Sequence, residues 1–180
     1  METTTATRTF TIDPKHTSIA FSVRHLMIAK VRGSFGSVSG TVELGASGLI
    51  PTAVKAEIDI VSIDTREAQR DGHLKSPDFF DAENHPKMHF TSTKIEAEGD
   101  TSFRLTGDLQ IRGTTQSVTF EAEASGQGPD PFGAGTRIAY EAKTKIKRSA
   151  FGLTWNTALE TGGVAISDDV EITLDVEAVG

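Results

Sequence analysis

Alternation with a period of two runs through nearly the whole chain, and it narrows the fold more than any other feature. Ile19, Phe21 and Val23 alternate with Ser18, Ala20, Ser22 and Arg24. Val54, Ala56, Ile58 and Ile60 face away from Lys55, Glu57 and Asp59. Phe103, Leu105, Gly107, Leu109 and Ile111 oppose Arg104, Thr106, Asp108 and Gln110. The same pattern recurs at 38–44, 118–124, 137–147 and 170–177, with further strands around 88–95 and 9–12. Successive side chains of a strand point to opposite faces, so each segment has one apolar and one polar face. Eight or nine such strands belong in an antiparallel sheet with one side wet.

Glycine- and proline-rich turn signals separate the strands, at 45–51, 98–100, 113 and 126–133. The glycine-rich stretch 33–40 sits inside a strand pattern and is read as a bulge or a sharp bend. Residues 64–81 break the alternation. Residues 67–74 have helical composition, and Ser76 and Pro77 read as a second helix start. The reading is all-β, with a short helical insertion around residues 66–81. A closed barrel and a two-sheet sandwich both fit. The eight-stranded antiparallel barrel is favoured because nearly every strand has a clean apolar face and closure removes exposed edges. Residues 1–8 read as a flexible tail, and residues 9–180 as a single barrel domain, in keeping with a length of 180.

Composition removes several functions. The 25 Asp and Glu outnumber 18 Lys and Arg, giving a net charge of −7, so no nucleic-acid partner is expected. With no Cys, there is no disulfide, thiol nucleophile or Cys-ligated metal, and no cofactor is expected. Motifs for dinucleotide binding, phosphate loops, zinc proteases and serine hydrolases are missing, so the chain does not read as an enzyme. Uninterrupted apolar runs stay near four residues, as in Leu26, Met27, Ile28 and Ala29, so no integral membrane segment is read. The first eight residues lack the apolar core of a signal peptide, which points to a cytoplasmic location.

Three groups of residues carry possible chemistry. His73, His85 and His89 lie near several acids, and a metal-dependent enzyme built on them is one alternative. Arg148 falls on the inward face of its strand with Thr144 and Ile146. Such a cation must find a partner, which is either an acid such as Asp64 or Asp71, or a ligand head group at the barrel mouth. Phe79 and Phe80 are adjacent and cannot point the same way on a helix. One packs into the core, and the other plugs or lines a cavity entrance. A filled barrel serving protein interaction is a further alternative.

Taken in order, the short motifs resemble one family. They are TIDPKH at 11–16, IAFSVRH at 19–25, VRGSF at 31–35, SIDT at 62–65, RDGHLKS at 70–76 and DFFD at 78–81. Pro86, FTS at 90–92, GDLQIRG at 107–113, RSAFG at 148–152 and TWNTALETGG at 154–163 follow. Together they resemble YceI-like proteins over residues 10–179. The resemblance implies a lipocalin-like barrel with a long internal tunnel and no defining catalytic activity. It also implies an amphiphilic lipid ligand, typically a polyisoprenoid such as a quinone precursor or prenyl pyrophosphate. Many members are exported, and a homodimer is possible for the family, though no strand here shows an apolar outer face. Ala150 departs from the family, which usually places an acid there, and this favours Arg148 meeting a ligand.

The candidate lipid-binding residues follow from the inward face: Phe21, Val23, Val42, Ile58, Ile60, Phe90, Leu105, Leu109, Phe120, Ile138 and Tyr140. Phe35 and Phe151 from the resembling motifs, and the pair Phe79 and Phe80, complete that set. His25, Arg66, Arg148 and Trp155 are the head-group candidates at the rim.

Overall fold

The alternation becomes eleven strands in the computed structural model, which describes residues 6–133 and 135–180. These are β1 (Arg8–Ile12), β2 (Ser18–His25), β3 (Ala29–Phe35), β4 (Val38–Leu44), β5 (Pro51–Asp59), β6 (Ile63–Asp64), β7 (Lys87–Ala97), β8 (Ser102–Ile111), β9 (Thr114–Pro129), β10 (Thr136–Lys147) and β11 (Asp169–Val179). One helix, α1 (Ala68–Lys75), lies between β6 and β7.

Eleven strands make an eight-stave barrel because the first three staves are each broken in the middle: β1 with β2, β3 with β4, and β5 with the short β6, which pairs with β3 through Ser34 and Asp64. β1 and β2 pair in succession along one edge of β11, through Thr11 with Val179 and Ile19 with Leu174. Between them a single 3₁₀ turn (Pro14–His16) interrupts the ladder, and the Asp13 carboxylate accepts from the Lys15 amide at 3.0 Å. β3 and β4 flank β2 and β1 in the same way, and their bend falls at Gly36 and Ser37. The bend is held by the Gly36 amide donating to the Ser62 carbonyl at 3.3 Å and the Asp59 amide donating to the Ser37 carbonyl at 3.1 Å. The ring then runs through β5, β7, β8, β9, β10 and β11, every neighbouring pair antiparallel, and closes on β1. The described residues show a closed eight-stranded antiparallel barrel, as the alternation anticipates.

Residues 1–5 of the expected tail lie outside the described residues. Arg8 is already in β1, opposite Leu44, with its guanidinium donating to the carbonyls of Gly45 and Gly48.

The helical insertion is shorter than expected. Glu67 caps α1 by accepting from the amides of Gln69 and Arg70. The expected second helix start at Ser76 is instead the end of α1: the Ser76 hydroxyl donates to the His73 carbonyl at 2.6 Å. Residues 77–80 form turns, because the amides of Phe79 and Phe80 fold back onto the carbonyls of Ser76 and Leu74. A turn can aim both rings inward where a helix cannot.

The barrel has two unlike ends. One carries the short 45–50 and 98–101 connections and both described termini. Phe10, Leu44, Ile138 and Ala178, each at most 2% exposed, fill it. The other carries the 26–28 turn, α1 with its flanking loops, the Arg112–Gly113 turn and the long 152–168 strap. No helix among the described residues is long and apolar enough to cross a membrane.

Candidate functional site

A cavity of about 410 Å³ occupies the barrel above the packed end. Its wall is the inward face of the strands. Aromatic rings dominate it, set edge to face: Phe90 against Phe120 with centroids 5.7 Å apart, and Phe103 against Tyr140 at 5.9 Å. Near the open end Phe35 bridges Phe21 at 5.6 Å and Phe80 at 5.9 Å. Two glycines make room for these rings. A Cβ at Gly107 would overlap the Phe90 ring and fall 2.6 Å from the Thr91 carbonyl oxygen. A Cβ at Gly33 would meet the Phe21 ring and stand 2.9 Å from the Thr65 methyl. Phe21, Val23, Ala142, Ile146 and Ile172 point inward yet are only half-buried, because they face a cavity and not a packed interior.

Every cationic or imidazole group on the cavity wall stands at the open end. His25 ends β2, Arg70 and His73 lie on α1, and Arg148 follows β10. Trp155, from the strap, packs its ring against His73 at 4.7 Å and Phe79 at 5.4 Å. Arg70 is oriented by Thr65: its Nε donates to Thr65 Oγ1 at 2.8 Å and its Nη2 to the Thr65 carbonyl at 2.7 Å. Thr65 in turn donates from its amide and hydroxyl to the Asp71 carboxylate. Deeper in the barrel, burial pushes the Tyr140 hydroxyl well above the usual phenol range, and it donates to the Leu49 carbonyl at 2.7 Å.

The family model of the YceI-like domain matches residues 10–178. A UPF0312 protein of Staphylococcus aureus strain USA300 is 34% identical over 168 residues, covering 93% of this chain and 95% of its own. The chain belongs to the YceI-like family. A crystal structure of the Campylobacter jejuni YceI protein matches with a TM-score of 0.76 at 31% identity, over 87% of this chain and 89% of that one. A polyisoprenoid binding domain from Saccharophagus degradans has the same fold, with a TM-score of 0.69 at 15% identity, over 95% and 98% of the two chains.

In this YceI-like barrel the expected tail-contact residues fall into two groups. Phe21, Val23, Phe35, Val42, Ile58, Phe79, Phe80, Phe90, Leu105, Leu109, Phe120, Tyr140 and Phe151 all stand on the cavity wall. Ile60 and Ile138 do not. β5 ends at Asp59, and Ile60 opens a 3₁₀ turn whose amide donates to the Pro86 carbonyl at 2.9 Å, so the alternation no longer sets its direction. Ile138 does point inward, but at the filled end, where it is fully buried.

The head-group candidates divide likewise. His25 and Trp155 line the mouth, whereas Arg66 is exposed outside the cavity wall, on a residue with φ of 65°. Arg148 takes neither expected partner. Asp64 accepts from the Arg66 amide and Asp71 from Thr65. The Arg148 guanidinium instead donates to the carbonyls of Ser167, Leu153 and Trp155, each at 2.8 Å, and of Ile166 at 3.3 Å. Four of its five N–H groups are therefore committed to the strap backbone. Burial lowers its pKa, and the nearby Asp168 charge partly opposes that.

The three histidines stand apart. His73 pairs with Asp78 at 2.9 Å, and His89 lies on the outer face of β7, 3.6 Å from Glu57. His85 sits in the loop before β7, beside Gly113. Among the described residues no three His or acidic groups come together in a metal-holding arrangement. Arg70 and Leu74 are wall residues the sequence reading missed. They share one face of α1 with His73 at spacings of three and four, a signal hidden by the short and mostly polar helix.

Proposed function

We propose that this protein binds, and carries or sequesters, an amphiphilic lipid with a long isoprenoid tail. One observation carries the reading: an apolar cavity of about 410 Å³ whose cationic and imidazole groups all stand at its one open end. The volume is that of a small-molecule site, where most such pockets measure about 300–1,000 Å³. A tail gains about 0.8 kcal/mol for each CH₂ buried, so the Phe, Ile, Leu and Val wall supplies affinity without polar contacts. The polar end of the ligand then rests at the mouth. Arg70 and His73 on α1, with His25 and Trp155, are the groups assigned to it. Arg70 Nη1 has no partner among the described residues and suits a phosphate or a polarised carbonyl. The polyisoprenoid binding domain of Saccharophagus degradans, which has the same fold, supports an isoprenoid over a straight acyl chain. The filled-barrel alternative does not suit this interior.

Trp155 is the single tryptophan and stands at the mouth. Titration with a long-chain prenyl alcohol or diphosphate is expected to shift its emission saturably. Ala142→Phe, which fills the mid-barrel wall, is expected to keep the fold and lose the response. Emission that never saturates in the wild type contradicts the reading.

A further inference from the structure

The turn joining β2 to β3 is built against backbone preference. The Ile28 amide donates to the His25 carbonyl at 3.2 Å, closing a turn whose central residues, Leu26 and Met27, hold φ of 52° and 65°. Two successive left-handed residues in a hairpin ordinarily call for Asn and Gly, because a Cβ crowds the backbone there. The β8–β9 turn follows that rule at its second position, with Arg112 at 50° followed by Gly113 at 74°. The Leu26–Met27 turn does not, and it has no core to pack into. Leu26, Met27 and Ile28 are 42%, 54% and 82% exposed. Val164 of the strap, 37% exposed, sits beside them, and the Leu26 amide donates to the Ala165 carbonyl at 2.8 Å. These are four of the six large apolar side chains that stand exposed among the described residues.

The charge beside this tip is opposite to that of the molecule. The outer face of the hairpin carries Arg24 opposite Lys30, and Arg32 opposite Ser22. Residues 18–35 contain no acid, in a chain of net charge −7. Lys30 pairs with Glu171 at 3.0 Å, while the Arg24 and Arg32 side chains have no acidic partner among the described residues. His25, at the base of the tip, lines the cavity mouth.

We propose that this apolar tip and its basic collar dock the mouth of the barrel onto an anionic lipid surface. The exposed Leu, Met and Ile enter the head-group layer, and Arg24, Lys30 and Arg32 meet lipid phosphates. The proposal gives the lipid-carrying reading its route of entry and rests on it for its purpose, but docking is measured without any cargo.

The test is vesicle flotation of the full chain, with vesicles of phosphatidylcholine and phosphatidylglycerol in equal parts against phosphatidylcholine alone. The wild type is expected to float with the anionic vesicles. The double variant Leu26→Asn, Met27→Gly supplies the residues the turn prefers, so it keeps or raises the thermal midpoint while vesicle partition falls by about tenfold. The double variant Arg24→Gln, Arg32→Gln is expected to lose the preference for anionic vesicles by a similar factor. A wild type that ignores both vesicles, or an Asn–Gly variant that floats unchanged, overturns the proposal. So does a tip that serves only to pair two copies: a dimer in sedimentation velocity that the Asn–Gly change dissociates, with no flotation. Trp155 titration of the same variants keeps the two readings separate. Ligand uptake without flotation defeats docking alone, and flotation without uptake supports docking while defeating the cavity reading.

Discussion

The Arg148 guanidinium holds the 152–168 strap in place by donating to four carbonyls and to no carboxylate. Hydrogen bonds from a charged group contribute about 1.5–3 kcal/mol each when they replace water well. Arg148→Met is therefore expected to lower unfolding stability by about 2–4 kcal/mol in urea titration and to free the strap. Arg148→Lys is expected to recover little, since one ammonium cannot span four carbonyls. A loss within experimental error in the Met variant contradicts this role. The inward direction of Arg148 was legible from alternation. Its partners were not, because backbone carbonyls leave no mark on residue identity. Gly107 is a second such case. Its place on the apolar face is visible in the sequence, but the Phe90 ring lying over it is not. Gly107→Ala is expected to cost about 1–3 kcal/mol by forcing that ring aside.

At the scale of elements, period-two alternation marks strand faces well and strand ends poorly. It runs smoothly from Ile58 to Ile60, yet the strand stops between them. It also places Ile138 correctly on the inner face without showing that this end of the barrel is filled. Helical spacing in α1 would have revealed Arg70, His73 and Leu74, but eight residues carry too weak a period to read. The strap and the barrel strands are also expected to differ in dynamics. The 152–168 strap is joined to the barrel mainly through Arg148, Asp168 and backbone bonds to Arg24 and Leu26, while Asn156 ties its two limbs to each other through Ile166. Hydrogen exchange is expected to be fast there and slow in β8, β9 and β10, with the strap slowing when a prenyl ligand is added. A strap as protected as β9 before any ligand contradicts it.

For the whole molecule, the acidic surface and the closed barrel set the response to pH. The Arg137 guanidinium, then His16, holds the Asp13 carboxyl well below the usual carboxylate range. Ser149 does the same for Asp168, Lys87 for Glu57 and Lys30 for Glu171. Each is lower in the folded than in the unfolded chain, so its contribution is complete above the ordinary carboxylate range and lost as pH falls below about 4. Urea midpoints are expected to be flat near neutrality and to drop through that acid window, least so for Asp13→Asn. Tyr140, the single tyrosine, gives the alkaline counterpart. Its pKa is raised by burial, so its contribution holds below about pH 10 and fades above it. Ultraviolet titration of the folded protein is expected to show no phenolate near pH 10. The overall architecture was readable because alternation acts over whole strands. On the proposed reading the polar groups at the mouth select the ligand, and one experiment tests it. Native mass spectrometry of the purified protein, paired with lipid extraction, is expected to show one equivalent of a long-chain prenyl lipid, or stoichiometric uptake of one that is added, abolished by Ala142→Phe. A protein of bare chain mass that takes up no prenyl lipid contradicts the account.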